Sequence, residues 1–446
     1  MSILPKTAAF LAFILALLAG PFLWAPTGEA QDEPSQEAAP GPAGDQGQAT
    51  PGEEPLAPGA DGPPEGDEWI EFCGSAGPDE IRKAIADGAD ANHVAPGGLT
   101  PLLSAAAFNP DVAAVEALLD AGANIEAVEG RFGLNALMLA ASHNPLPAMV
   151  DLLVAKGIPV DRQNFQGGTA LIQAASSNPN PAVSEALVRA GADLETRDSL
   201  GATPLMHAAG YGNAMVIRRL LELKADPLKA DEAGDTALAW AARSNVDSGA
   251  VFELLRAGAD PKTRNLRGFS PLYHAAVNPN SDVLAILLEA SGGDLSLLRS
   301  PESSALFAAT YFNPNVNVAR RLIALGADVN EPHTDGMTIL MASIVNPEPA
   351  MTKLILAQRA DPNATDSFGR TPLMLAAALA RDPMVVRLLL GAGADPALKD
   401  KEGKTAVDYA EGNDTKAVSQ LFDRFRDDDA TEEEEAEAEA PQPGAE

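Results

Sequence analysis

Between residues 67 and 425 the chain keeps time. An Ala- and Leu-rich stretch gives way to a short polar turn, then to a second Leu-rich stretch, then to a longer polar segment carrying Gly. Both apolar stretches read as helices. The first of them always follows a Thr, or a Ser or Asn in its place. These anchors are Thr100, Asn135, Thr169, Thr203, Thr236, Ser270, Ser304, Thr338, Thr371 and Thr405, spaced by 35, 34, 34, 33, 34, 34, 34, 33 and 34 residues. A period held for ten units is the mark of stacked repeats, each burying its apolar face against the next.

The anchor has a physical role. Its side-chain oxygen predicts a cap on the first helix. Pro101, Pro204, Pro271 and Pro372 stand one position later, where a missing N–H costs nothing. Two positions after the anchor comes an apolar core residue, Leu102, Leu137, Leu171, Leu205, Leu238, Leu272, Leu306, Leu340, Leu373 or Val407. Small pairs such as Ala105-Ala106 and Ala208-Ala209 let neighbouring helices come close. Between the helices Asn-Pro recurs, as in "AAFNPD", "ASSNPNP" and "TYFNPNV". Asn is expected to cap the second helix there, with Pro in its first turn. The Asn-Pro words read as a lengthened turn with no chemistry of their own.

The second helix ends on Gly-Ala-Asp or a relative. Gly88, Gly122, Gly191, Gly258, Gly326 and Gly393 suit the left-handed residue past a helix end. A further Gly lies two residues before nine anchors, from Gly98 to Gly403, and predicts a tight turn with positive φ. Glu302 breaks that series, so its finger is expected to be misshapen. The segment between the two glycines reads as an extended finger with a turn at its tip.

This order of helix, turn, helix and finger resembles the ankyrin repeat. The words "TPLLSAA", "TPLMHAA", "SPLYHAA" and "TPLMLAA" match the family motif directly, over about residues 67–425. Two departures stand out. Leu103, Met138, Met206, Tyr273, Met341 and Met374 replace the motif's His, and the repeat is about one residue longer than the family's ~33. The resemblance implies an all-α fold, an α-solenoid with short β-hairpin-like fingers, and a groove lined by first helices and fingers that binds proteins. The longer form resembles exported bacterial ankyrin proteins.

Outside the repeats the composition changes. Residues 1–30 carry Lys6, an apolar run from Thr7 to Ala19 and the small residues Gly28 and Ala30. They read as a signal peptide cleaved after Ala30, giving a periplasmic or secreted chain. The alternative is an uncleaved membrane anchor. Residues 31–66 are Pro/Gly-rich and acidic, and read as a disordered linker. Residues 67–426 form the repeat domain, with an N-terminal capping pair before ten anchored units. Residues 427–446 read as a disordered acidic tail. The net charge of -32 resides mostly in the two flanking segments. It argues against nucleic acid or an anionic membrane as a partner. Cys73 is the only cysteine, which excludes an intrachain disulfide. It reads as a buried small hydrophobe, with an intermolecular disulfide as the alternative.

Nothing in the sequence points to catalysis. The five histidines lack metal-ligand spacing, and neither a phosphate loop nor a nucleophile elbow occurs. No cofactor or metal is expected. The expected activity is protein binding by a monomer, with a partner of unstated identity. A secreted effector of a host protein and a membrane-anchored scaffold are the alternatives. Candidate groove residues are Phe108, His143, His207, Tyr211, Trp240, Arg243, His274 and Phe312, because aromatic and Arg side chains anchor interfaces. For Tyr211 and Trp240 the competing reading is gap filling between helices. Phe132, Phe165 and Phe368, near finger tips, are alternative contacts.

Overall fold

The computed structural model describes residues 64–423, apart from Glu302, Pro332, Thr334, Asp335 and Asp414. The segments read as signal peptide and acidic tail, and nearly all of the one read as a linker, lie outside the described residues, as does Glu302 itself. Within them the helices come as eleven pairs, beginning with Gly66–Cys73 and Pro78–Ala86 and ending with Ala406–Ala410 and Lys416–Ser419. The chain is thus all-α, a solenoid of helix pairs. First helices stack on first helices, and second helices on second helices.

The local reasons follow the repeat. Nine anchors accept a hydrogen bond from the backbone N–H three residues on, as Thr100 does from Leu103 and Asn135 from Met138. Thr236 is the exception, and its side chain makes no such cap. The core runs continuously through the units. It contains the Leu that follows each of the first nine anchors, the small pairs, and a Val or Ile row from the second helices. Trp69 and Phe422 close its two ends. Cys73 is wholly buried, and burial pushes its thiol up to about 12.

The fingers are turns rather than strands. Among the described residues only isolated bridges form, such as Val128 with Asn135 and Ala230 with Thr236. The predicted glycines hold positive φ at both places. Gly98 shows why: a Cβ there would meet the Gly130 backbone nitrogen at 2.6 Å. Successive fingers instead join by backbone bonds, such as Ser199 N–H to Gln166 O and Leu266 N–H to Ala233 O. Two units lack the helix-ending Gly, and there Lys224 (φ 83°) and Arg359 (φ 64°) adopt the left-handed conformation.

The Asn-Pro turns correct an expectation. In "SSNPNP" the second Asn behaves as a cap, accepting from Ala182 N–H with Pro181 in the first position. The first does not. Asn178 is buried, and its Nδ2 donates to Ala141 O at 2.9 Å and Asn144 O at 2.8 Å in the preceding unit. Its Oδ1 accepts from Asn180 N–H at 3.0 Å. The same three bonds recur at Asn109, Asn144, Asn245, Asn278, Asn313, Asn346 and Asn413. Each of these eight units is stapled to its neighbour by an amide that satisfies otherwise orphaned carbonyls. Gly212 and Ala380 stand at this place in the remaining units.

Candidate protein-binding face

The face shared by first helices and fingers carries the candidate residues. Its centre is a cluster drawn from two adjacent units. The His207 and Trp240 rings lie 5.4 Å apart, and Tyr211 stands edge-on to Trp240 at 6.3 Å. The Arg243 guanidinium lies 5.8 Å from the Trp240 ring centre. Helical spacing explains the grouping: His207 and Tyr211 are one turn apart, and so nearly are Trp240 and Arg243. Gly210 makes room, because a Cβ there would sit 3.1 Å from the Trp240 ring.

Exposure divides the cluster. Tyr211 is 46% exposed, whereas Trp240 is 2% exposed and His274 is buried too. His207 and Arg243 lie between these extremes. Trp240 and His274 therefore form the floor, while Tyr211, His207 and Arg243 form the accessible layer. Burial pushes the Tyr211 hydroxyl up to about 12, against the pull of the Arg243 charge. Tyr211 thus stays a neutral donor at ordinary pH.

Acids from the fingers hold rings along this row, a feature the helical spacing alone did not reveal. Asp198 Oδ2 lies 2.8 Å from His207 Nε2, Asp231 Oδ2 accepts from Trp240 Nε1 at 2.8 Å, and Asp400 Oδ2 accepts from the Tyr409 hydroxyl at 2.7 Å. In each case the other oxygen, Oδ1, accepts backbone N–H groups two and four residues on, which shapes the finger. One carboxylate thus ties finger to helix. The signal was legible as a column: an Asp five residues before the anchor, nine before its helical partner.

Electrostatics follow. Burial acts to raise the Asp198 carboxyl, but the bonded His207, its charge and two backbone N–H groups outweigh that and lower it. Asp235 is buried more deeply. It faces His274 Nε2 at 3.2 Å, accepts from Asn265 Nδ2 at 2.8 Å and pairs with Arg243 at 3.7 Å. These partners overcome its desolvation and hold its carboxyl below the usual range. Asp231 goes the other way: burial, with the neighbouring Asp235 charge, leaves its carboxyl raised despite the Trp240 bond. Among the described residues, no group of three or more His, Cys, Asp and Glu is arranged to hold a metal ion.

The remaining candidates lie apart from the centre. Phe108 and His143 form an exposed edge-to-face pair at 5.5 Å. Phe312 packs on Tyr311 at 4.5 Å. At the finger tips Phe165 is 72% exposed and Phe368 is 55% exposed with Arg370 over its ring, whereas Phe132 is partly covered.

Known proteins agree with this frame. The family described as "Ankyrin repeats (3 copies)" matches overlapping segments from residue 72 to residue 366, and "Ankyrin repeats (many copies)" matches 356–410. The chain belongs to the ankyrin-repeat family. Among curated proteins it is 42% identical over 72 residues to the mitochondrial disaggregase of Bos taurus, covering 16% of this chain and 10% of that one. It is 30% identical over 174 residues to "Putative palmitoyltransferase ZDHHC13" of Danio rerio, covering 36% of this chain and 25% of that one. The ankyrin chain thus spans a quarter or less of the length of these relatives. Among the described residues, no helix is long and apolar enough to cross a membrane. An ankyrin solenoid of this kind is a protein–protein interaction module.

Proposed function

We propose that this chain is an exported, non-catalytic interaction module that binds one protein partner through the Tyr211-centred face. The observation that carries the reading is the layered cluster there. A half-exposed aromatic and an Arg stand on a floor of Trp240 and His274, which finger carboxylates lock from below. Rigid aromatic and Arg groups on a fixed base lose little entropy on binding. The same bonds speak against catalysis, because the carboxylates beside His207 and His274 are committed to shaping fingers and holding rings. Export rests on the apolar N-terminal stretch, and the binding of nucleic acid or anionic membrane is disfavoured by the acidity.

The test is capture by residues 31–446, cross-linked in extract of the native compartment. Matched baits carry Tyr211→Ala or Phe368→Ala. A protein lost with Tyr211→Ala and kept with Phe368→Ala supports this face. The reverse result moves binding to the fingers, which the exposure of Phe165 and Phe368 favours as a second reading. N-terminal sequencing tests export: a mature chain beginning at Gln31 agrees, and a retained Met1 refutes cleavage.

A further inference from the structure

The second helices carry a charge gradient along their exposed faces. At the fifth position of successive helices, starting with Val112–Asp120, stand Glu116, Asp151, Glu185, Arg218, Phe252, Ala285, Arg320, Lys353 and Arg387. The row begins acidic and ends basic. From its second helix to its middle the charged members are matched: Arg189 pairs with Asp151 at 2.8 Å, Arg219 with Glu185 at 2.7 Å and Arg218 with Glu253 at 2.6 Å. These pairs also show that neighbouring helices bring such positions into contact.

The C-terminal part is different. The helices Val316–Ala324, Pro349–Ala357 and Pro383–Gly391 hold Arg320, Arg321, Lys353 and Arg387 and not one acid. All four are exposed. Arg320 donates to Asn317, and none of the four pairs with a carboxylate among the described residues. The nearest acids in sequence, Glu348 and Asp382, stand at the starts of the helices, a turn away from the row.

We propose that residues 427–446 dock back along this basic row, on Arg320, Lys353 and Arg387. Charge and reach select that occupant. The segment has ten acids and no base, and it begins four residues after Asp423. The last α-helix among the described residues, Lys416–Ser419, packs on Pro383–Gly391, so the described chain ends at the basic end of the row. From there Arg320 lies three units away, about 30 Å at 8–10 Å per helix. Twenty extended residues span about 65 Å. Each exposed ion pair by itself is weak. A tether, however, supplies an effective concentration on the order of millimolar. The acidic start of the row repels the same segment, and the acidic residues 31–63 precede that end, so the docking has a direction.

Lys353 is a built-in reporter, because a carbodiimide joins its amine to a carboxylate only in direct contact. The full chain is treated at low salt, and the monomer is mapped by mass spectrometry. Coupling of Lys353 to residues 427–446 is expected. It falls several-fold in about 1 M salt, where the screening length is ~3 Å. It falls likewise in an Arg320→Glu, Arg387→Glu variant, which keeps the reporter. A second variant leaves the repeats untouched: Glu432→Gln, Glu433→Gln, Glu434→Gln and Glu435→Gln should weaken coupling through the remaining acids. Unchanged coupling in the arginine variant overturns the proposal. So does equal coupling to Lys156 in the acidic half, coupling of Lys353 to residues 31–63 instead, or coupling found only between molecules.

Discussion

Two rows of side chains run along this solenoid, and they behave oppositely. One is the inter-helix turn, where Asn recurs at eight positions, buried or nearly so, making the same three hydrogen bonds each time. The other lies four residues after each anchor, where Ser104, Leu139, Gln173, His207, Trp240, His274, Ala308, Ala342, Leu375 and Tyr409 follow one another. A staple must meet the same two carbonyls wherever it occurs, and Asn fills that role in all units but those of Gly212 and Ala380. The second row is mostly buried too, but it floors the face that carries Tyr211, and no shared bond holds it to one residue type. Repetition therefore marks the frame, and variation marks where a ligand can be read.

A large effect is expected from breaking the repetitive row. Asn278→Ala removes the donor to Ala242 O at 3.0 Å and Asn245 O at 2.9 Å, inside a site with no exposure. Two carbonyls then lack a partner, and the loss should be about 2–4 kcal/mol. Urea unfolding followed by circular dichroism measures it. A midpoint unchanged from the parent would show that the ladder is incidental. Because units are coupled to their neighbours, transmitted instability should also broaden the transition.

Next comes the acid beneath the variable row. Asp235→Asn should cost about 1–3 kcal/mol at neutral pH, since it strips charge from the bonds to His274, Asn265 and Arg243. The sign with pH is fixed by the lowered folded value. The contribution of Asp235 is present above the ordinary Asp pKa of about 3.9. It fades as pH falls through its depressed folded pKa, so parent and variant should converge in acid. A constant gap from pH 7 down to acid would rule this account out.

A smaller effect of opposite sign concerns the two left-handed residues. Lys224→Gly and Arg359→Gly should each stabilise by up to about 1 kcal/mol, because only Gly enters that conformation without strain. Thermal denaturation of each variant decides it, and a lowered midpoint would mean the side chains make offsetting contacts.

The frame was legible because each of its rules is local. The Thr203-Pro204 cap, the Gly pairs and the Leu205 core position follow from backbone geometry in a single unit. The Asn staple was not, because Asn178 acts on Ala141 and Asn144, more than thirty residues back. Within one unit its Asn-Pro reads as a helix cap, which describes Asn180 and not Asn178. The site was half legible for the same reason. Helical spacing brought His207, Tyr211, Trp240 and Arg243 together. It gave no sign that Trp240 would be covered while Tyr211 stayed open, since that depends on which finger closes over each ring. The acids Asp198 and Asp231 stand in a visible column, but spacing alone does not show that their second oxygen reaches a ring.

The smallest stability effect is the sharpest test of the contrast. Tyr211→Ala removes a ring beside His207 and Trp240, which Asp198 and Asp231 also hold. Its loss should shift unfolding by no more than about 1 kcal/mol, as befits a side chain nearly half in water. Trp240→Ala, by comparison, empties a buried site and should cost about 3–5 kcal/mol. If the face above the variable row is where a partner is read, the order reverses in a binding assay with the captured protein. Tyr211→Ala should then weaken binding by tenfold or more, about 1.4 kcal/mol, in a chain that remains folded. Binding that survives Tyr211→Ala and fails only when Trp240→Ala unfolds the unit would make this row part of the frame as well, and leave the fingertip residues Phe165 and Phe368 as the place to look.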